Sequence, residues 1–75
     1  MTPYKNLGGD SNVMAYETGV DFIRVQFSRG EVYLYTFGSA GAANIEHMKR
    51  LAQAGHGLNS FINTTVRKGY ARRER

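Results

Sequence analysis

The last nine residues, RKGYARRER (67–75), carry five basic side chains against one carboxylate, with a tyrosine set between them. Arg67, Lys68, Arg72 and Arg73 could contact phosphates, and the ring of Tyr70 could stack on a base. Residues 1–66 hold five basic and five acidic side chains, so the whole formal charge of +4 resides in this tail. A neutral body with a basic end implies attraction to a polyanion through that end. A solvated basic terminus that keeps the protein soluble accounts for the same residues, and the patch itself reads no base sequence.

Other residue sets could also do chemistry. Tyr33, Tyr35 and Phe37 alternate within EVYLYTF (31–37), and side chains two apart on a strand share a face. Such a row serves either as a stacking platform for bases or as one wall of a small core. The stretch FGSAGAAN (37–44) runs between a strand and a helix, where Gly38, Ser39 and Gly41 could offer backbone amides to a phosphate as an anion loop. It lacks the lysine and Ser/Thr of a P-loop, and helix capping by Ser39 or Asn44 explains the same residues. His47 and His56 stand alone, without a carboxylate or second histidine at metal-ligand spacing. There is no cysteine, and no nucleophile motif surrounds the serines. The reading is a non-enzymatic protein without metal or cofactor.

Seventy-five residues make one small domain, with little room for both a core and a buried catalytic cavity. The apolar fraction of 41% is that of an ordinary globular chain. The segments NVMAYE (12–17), FIRVQF (22–27) and EVYLYTF (31–37) read as strands, joined by the short turns TGVD and SRG. The period then changes. Ile45, Met48, Leu51 and Ala52 fall on one helix face, Gly55 suits the left-handed stop, and Leu58, Phe61, Ile62, Thr65 and Val66 line a second helix. The expected fold is α+β: a three-stranded antiparallel meander followed by two helices packed on one sheet face. The expected boundaries are a flexible N-terminal segment over 1–10, a single domain over 11–70 and a basic tail over 71–75. No apolar run suggests a signal peptide or a membrane span, so a cytoplasmic protein is expected.

Hairpin register separates the two roles of the tyrosines. A two-residue turn at Arg29-Gly30 would force positive φ on Arg29, whereas a three-residue SRG loop places it on Gly30 alone. Phe27 then faces Glu31, Val25 faces Tyr33, and Ile23 faces Tyr35. That register puts Tyr33, Tyr35 and Phe37 on the face the helices cover, as core residues. It leaves Arg24, Gln26, Val32, Leu34 and Thr36 on an open face with no aromatic row, which weakens the comparison with an RNA-recognition motif.

The order of short elements also carries a resemblance. Val25 and Phe27, Gly30, Tyr33 and Tyr35, Gly57, Phe61 and Ile62, then Val66, Arg67 and Tyr70 form a pattern that resembles the KTSC family over residues 11–72. The departure is FGSAGAAN, where the family often has a short VP-like link. The resemblance implies a small bacterial or phage-type module, of a kind also found at the C-terminus of some lysyl-tRNA synthetases. It therefore implies RNA binding, with Tyr33, Tyr35, Arg67 and Tyr70 as mapped positions. The leading expectation is an accessory RNA-binding module acting through the basic C-terminal segment. A nucleotide binder or sequestering protein, with its site between subunits of a homo-oligomer, is the first alternative. A protein-interaction module docking through a strand edge or the Leu34 face is the second.

Overall fold

The computed structural model describes residues 1–9 and 11–75; Asp10, counted above among the acids, lies outside the described residues. The strands are β1 (Thr2–Pro3), β2 (Val13–Thr18), β3 (Phe22–Phe27), β4 (Val32–Thr36) and β5 (Arg72–Arg73). A single turn α1 (Phe37–Ala40) leads to α2 (Ala42–Ala54), and α3 (Leu58–Phe61) is followed directly by a π-helical turn, Ile62–Val66. The sheet order is β1-β2-β3-β4-β5, with every neighbouring pair antiparallel. The α+β class and the helices on one sheet face are therefore as the sequence led us to expect. Among the described residues no helix is long and apolar enough to cross a membrane.

The β3–β4 turn shows why the register is what it is. Gly30 takes φ 94°, and its N–H donates to Phe27 O at 2.8 Å. Phe27 N–H donates to Glu31 O at 2.9 Å, which closes a three-residue loop. Ile23 then pairs with Tyr35, and Val25 with Tyr33. The covered face carries Ile23, Val25 and Tyr35, which form one cluster with Ile45, Met48 and Ala52 of α2, Leu58 of α3, and Ile62 and Val66 of the π-helical turn. Helix α2 stops at Gly55, whose φ of 75° is the left-handed conformation that glycine accepts without cost. Thr65, expected on the apolar stripe, is exposed, because the π-helical turn rotates it off that face.

Four expectations need correction. The domain does not begin at residue 11. Thr2–Pro3 pairs with Tyr16 and Ala15, and Tyr4 is buried in the core with its hydroxyl accepting from Leu58 N–H at 3.3 Å. Leu7 N–H also donates to Gly55 O at 2.8 Å, which ties this segment to the end of α2. Phe37 leaves the aromatic row, because the chain turns helical there. Thr36 and Ser39 form a reciprocal capping box around α1, and Phe37 ends exposed beneath Lys49. Nor is 71–75 a tail set apart from the domain: Arg72–Arg73 is an edge strand paired with Tyr33 and Leu34.

The fourth correction follows from that strand. Val32 and Leu34, expected on an open face, are buried. Four charges cross the sheet above them in alternating order: Glu17, Arg24, Glu74 and Arg72. Arg24 Nε donates to Glu74 Oε1 at 2.7 Å, and Arg72 donates to Glu74 Oε2 through both Nε and its terminal nitrogen. The aliphatic stems of such arginines cover apolar surface while their heads remain wet. Val32 and Leu34 themselves are therefore not exposed for a partner to dock on.

Two titrations test this packing. Burial, with the charges Tyr33 and Tyr70 would acquire, raises the Tyr35 hydroxyl from 10.0 to about 12. The fold favours the neutral phenol, so its contribution is intact below pH 10 and is lost as pH rises through about 12. Wild-type stability should fall across that window by roughly 2–3 kcal/mol more than that of Tyr35→Phe, read by denaturant titration at stepped pH. Glu74 behaves oppositely. The Arg24 hydrogen bond, reinforced by Arg72, holds its carboxyl below 4.5 against partial burial. Its contribution is present above 4.5 and is lost as pH falls through the lowered folded value. The melting-temperature advantage of wild type over Glu74→Gln should therefore be present at neutral pH and vanish as pH falls through the lowered folded value.

Candidate nucleic-acid interface

The C-terminal segment is steered by its own backbone. The π-helical turn ends at Arg67, whose φ of 29° is uncommon for a residue with a side chain. Gly69 N–H then bonds back to Val66 O. A Cβ on Gly69 would lie 2.8 Å from that same oxygen and 3.6 Å from Ala40 Cβ, so the turn needs glycine here and packs against α1. Ala71 N–H donates to Leu34 O at 2.6 Å, and Glu74 N–H to Val32 O at 2.7 Å, which fixes β5 on the edge of β4.

This route delivers Tyr70 to the tyrosines of β4. Its ring centroid lies 4.7 Å from Tyr33 and 6.3 Å from Tyr35. Phe27 extends the row, with its edge against Tyr33 at 5.7 Å. The guanidinium of Arg73 sits 6.0 Å from the Tyr33 ring centroid, on the covered side of the sheet. Tyr35 is closed off by the helices, while Tyr33 and Phe27 are half-buried and Tyr70 is exposed. The helices thus cover one part of the inner face and leave its end beside the β3–β4 turn open. A pocket of about 480 Å³ lies there, lined by Asn12, Phe27, Ser28, Arg29, Glu31 and Tyr33.

The residues expected to contact phosphate separate accordingly. Tyr70 and Arg73 lie against Tyr33 on the inner face. Arg67 and Lys68 are exposed on the turn that precedes Tyr70. Arg72 points to the opposite face, engaged with Glu74, and is not part of the same surface. The anion loop is spent on itself. Ser39 N–H donates to Thr36 Oγ1 at 3.1 Å, and Gly41 N–H to Phe37 O at 3.0 Å, while Gly38 lies inside the same turn. Asn44 caps a carbonyl rather than an amide, donating to Ala40 O at 2.8 Å. With two of its three amides occupied, the loop is a capped turn.

His47, expected on a polar face, packs against the ring of Phe61 with centroids 4.6 Å apart, and His56 is exposed in the turn after α2. Among the described residues no group of three or more His, Asp or Glu side chains could hold a metal ion. A second cleft, of about 300 Å³, lies between the N-terminal segment and α3 and is lined by residues such as Asn6, Ser11, Asn59 and Asn63. Among the described residues, its lining contains no lysine or arginine.

Sequence reasoning missed Arg29, Glu31 and Phe27 as residues of the candidate site. A signal for them existed. The register that places Phe27 opposite Glu31 also places that carboxylate in line with Tyr33 and Tyr35, where a charge is out of character for a core face. Compared with known proteins, the chain matches no family model, no curated protein and no solved structure.

Proposed function

We propose that this chain is a non-catalytic module that binds single-stranded RNA through the inner-face aromatics and the basic residues beside them. The carrying observation is the juxtaposition of Arg73 with Tyr33 and of Tyr33 with Tyr70, in a surface left open by the helices. Bases offer π-faces to such rings, and the phosphates between them need cations within reach. Arg67, Lys68 and Arg73 supply those cations. Arg72 supplies none, because Glu74 already holds it. The KTSC resemblance points the same way, towards an accessory role beside RNA-handling proteins of bacterial or phage type, and such a role belongs in the cytoplasm.

Removing the whole C-terminal segment would not isolate charge from fold, since β5 and Tyr70 are packed on β4. Truncation after Gly69 should lower the melting temperature clearly as well as abolish binding. The cleaner variant is the triple substitution Arg67→Gln, Lys68→Gln, Arg73→Gln, read by fluorescence anisotropy with a labelled single-stranded RNA at several salt concentrations. Each phosphate contact on a single strand adds about 0.7 to the slope of log affinity against log salt, so the slope should fall by up to about 2. The melting temperature should hold. Absence of binding by wild type at low salt, or an unchanged slope in the variant, would overturn the proposal.

A further inference from the structure

Glu31 lines the pocket beside the β3–β4 turn, and nothing so far has used its side-chain chemistry. Its Oε1 is buried and, among the described residues, finds no hydrogen-bond partner. A buried acceptor left unpaired carries the desolvation cost of burial with no compensating bond, so turning this half-buried side chain to bring its carboxylate to a donor in the pocket is favoured. Arg29 lines the same pocket, yet no ion pair joins it to Glu31 among the described residues. Phe27 and Tyr33, set edge to face, supply the apolar part of the lining.

Those features narrow the ligand. A cation would satisfy the carboxylate but would meet Arg29 and a chain of net charge +4. A flat ring with neutral N–H donors satisfies the carboxylate without that repulsion, and an attached phosphate satisfies Arg29. Among the bases, guanine presents two adjacent donors, N1–H and the N2 amine, spaced for the two oxygens of one carboxylate. Uracil offers one N–H flanked by two carbonyls, whose lone pairs would face Glu31. Adenine and cytosine set their amine beside a ring nitrogen that only accepts.

We propose that the pocket formed by Phe27, Arg29, Glu31 and Tyr33 binds guanine, with the Glu31 carboxylate accepting from N1–H and the N2 amine. The base comes either from bound RNA or from a free guanine nucleotide. The RNA source rests on the function proposed above; the nucleotide source does not.

The test uses the full chain and three labelled RNAs, UUUGUUU, UUUAUUU and the inosine form UUUIUUU, followed by anisotropy, with 5′-GMP and 5′-AMP compared by thermal shift. Wild type should bind the guanine RNA about 10-fold to 100-fold more tightly than the adenine RNA, with inosine between them because it lacks the N2 amine. In Glu31→Gln, which keeps the side-chain shape, the guanine and adenine affinities should converge to within about 2-fold because one acceptor becomes a donor. A GMP response that needs Glu31, with no RNA bound, would support the pocket and overturn the RNA reading. Equal affinity for all three RNAs together with equal GMP and AMP responses would overturn the guanine assignment, as would a guanine preference that survives Glu31→Gln.

Discussion

The register of the β3–β4 hairpin is the constraint on which the remaining structure rests. One residue of slip would turn every side chain of β4 to the opposite face. Tyr35 would leave the core, and Leu34 would enter it. Gly30 decides against that slip by taking the positive φ that Arg29 would resist. The closed loop fixes Ile23 against Tyr35 and Val25 against Tyr33, and the helices can then settle on one apolar surface. The opposite surface is sealed differently, by ion-paired side chains lying over Val32 and Leu34.

The C-terminal strand is the second consequence of that register. With Tyr33 facing inward, the edge of β4 offers its backbone groups to Ala71 and Glu74, and successive residues of β5 divide between the two faces. Arg73 goes to the Tyr33 side and Arg72 to the Leu34 side. A run of arginines that looks uniform in the sequence is therefore two populations. One is exposed beside aromatic rings, and the other is held in a chain of ion pairs. Pairing residues of β4 with this edge also protects a strand that would otherwise present free backbone groups to other chains.

Much of this was legible in the residues. The alternation of Ile23, Val25 and Phe27, the turn chemistry of SRG, and the helical spacing of Ile45, Met48 and Ala52 each specify a local structure by period or by backbone preference. Two-residue strands have no period, so β1 and β5 left no such trace, and the burial of Tyr4 depends on a contact with Leu58 far along the chain. Phe37 misled because alternation continued past the point where Thr36 and Ser39 start a helix; their spacing was the available sign. The candidate site was half visible. Tyr70 and the basic residues stood out by type, whereas the pocket around Glu31 exists only because the fold leaves that end of the inner face uncovered.

Contact with nucleic acid is proposed at the open end of the inner face. Backbone amide chemical shifts recorded during titration with a single-stranded RNA locate the contact directly. The largest changes are expected at Arg29, Gly30, Glu31, Tyr33, Lys68, Tyr70 and Arg73. Changes centred instead on the Asn6–Asn59 cleft, or on Glu17, Arg24 and Arg72 across the opposite face, would contradict it.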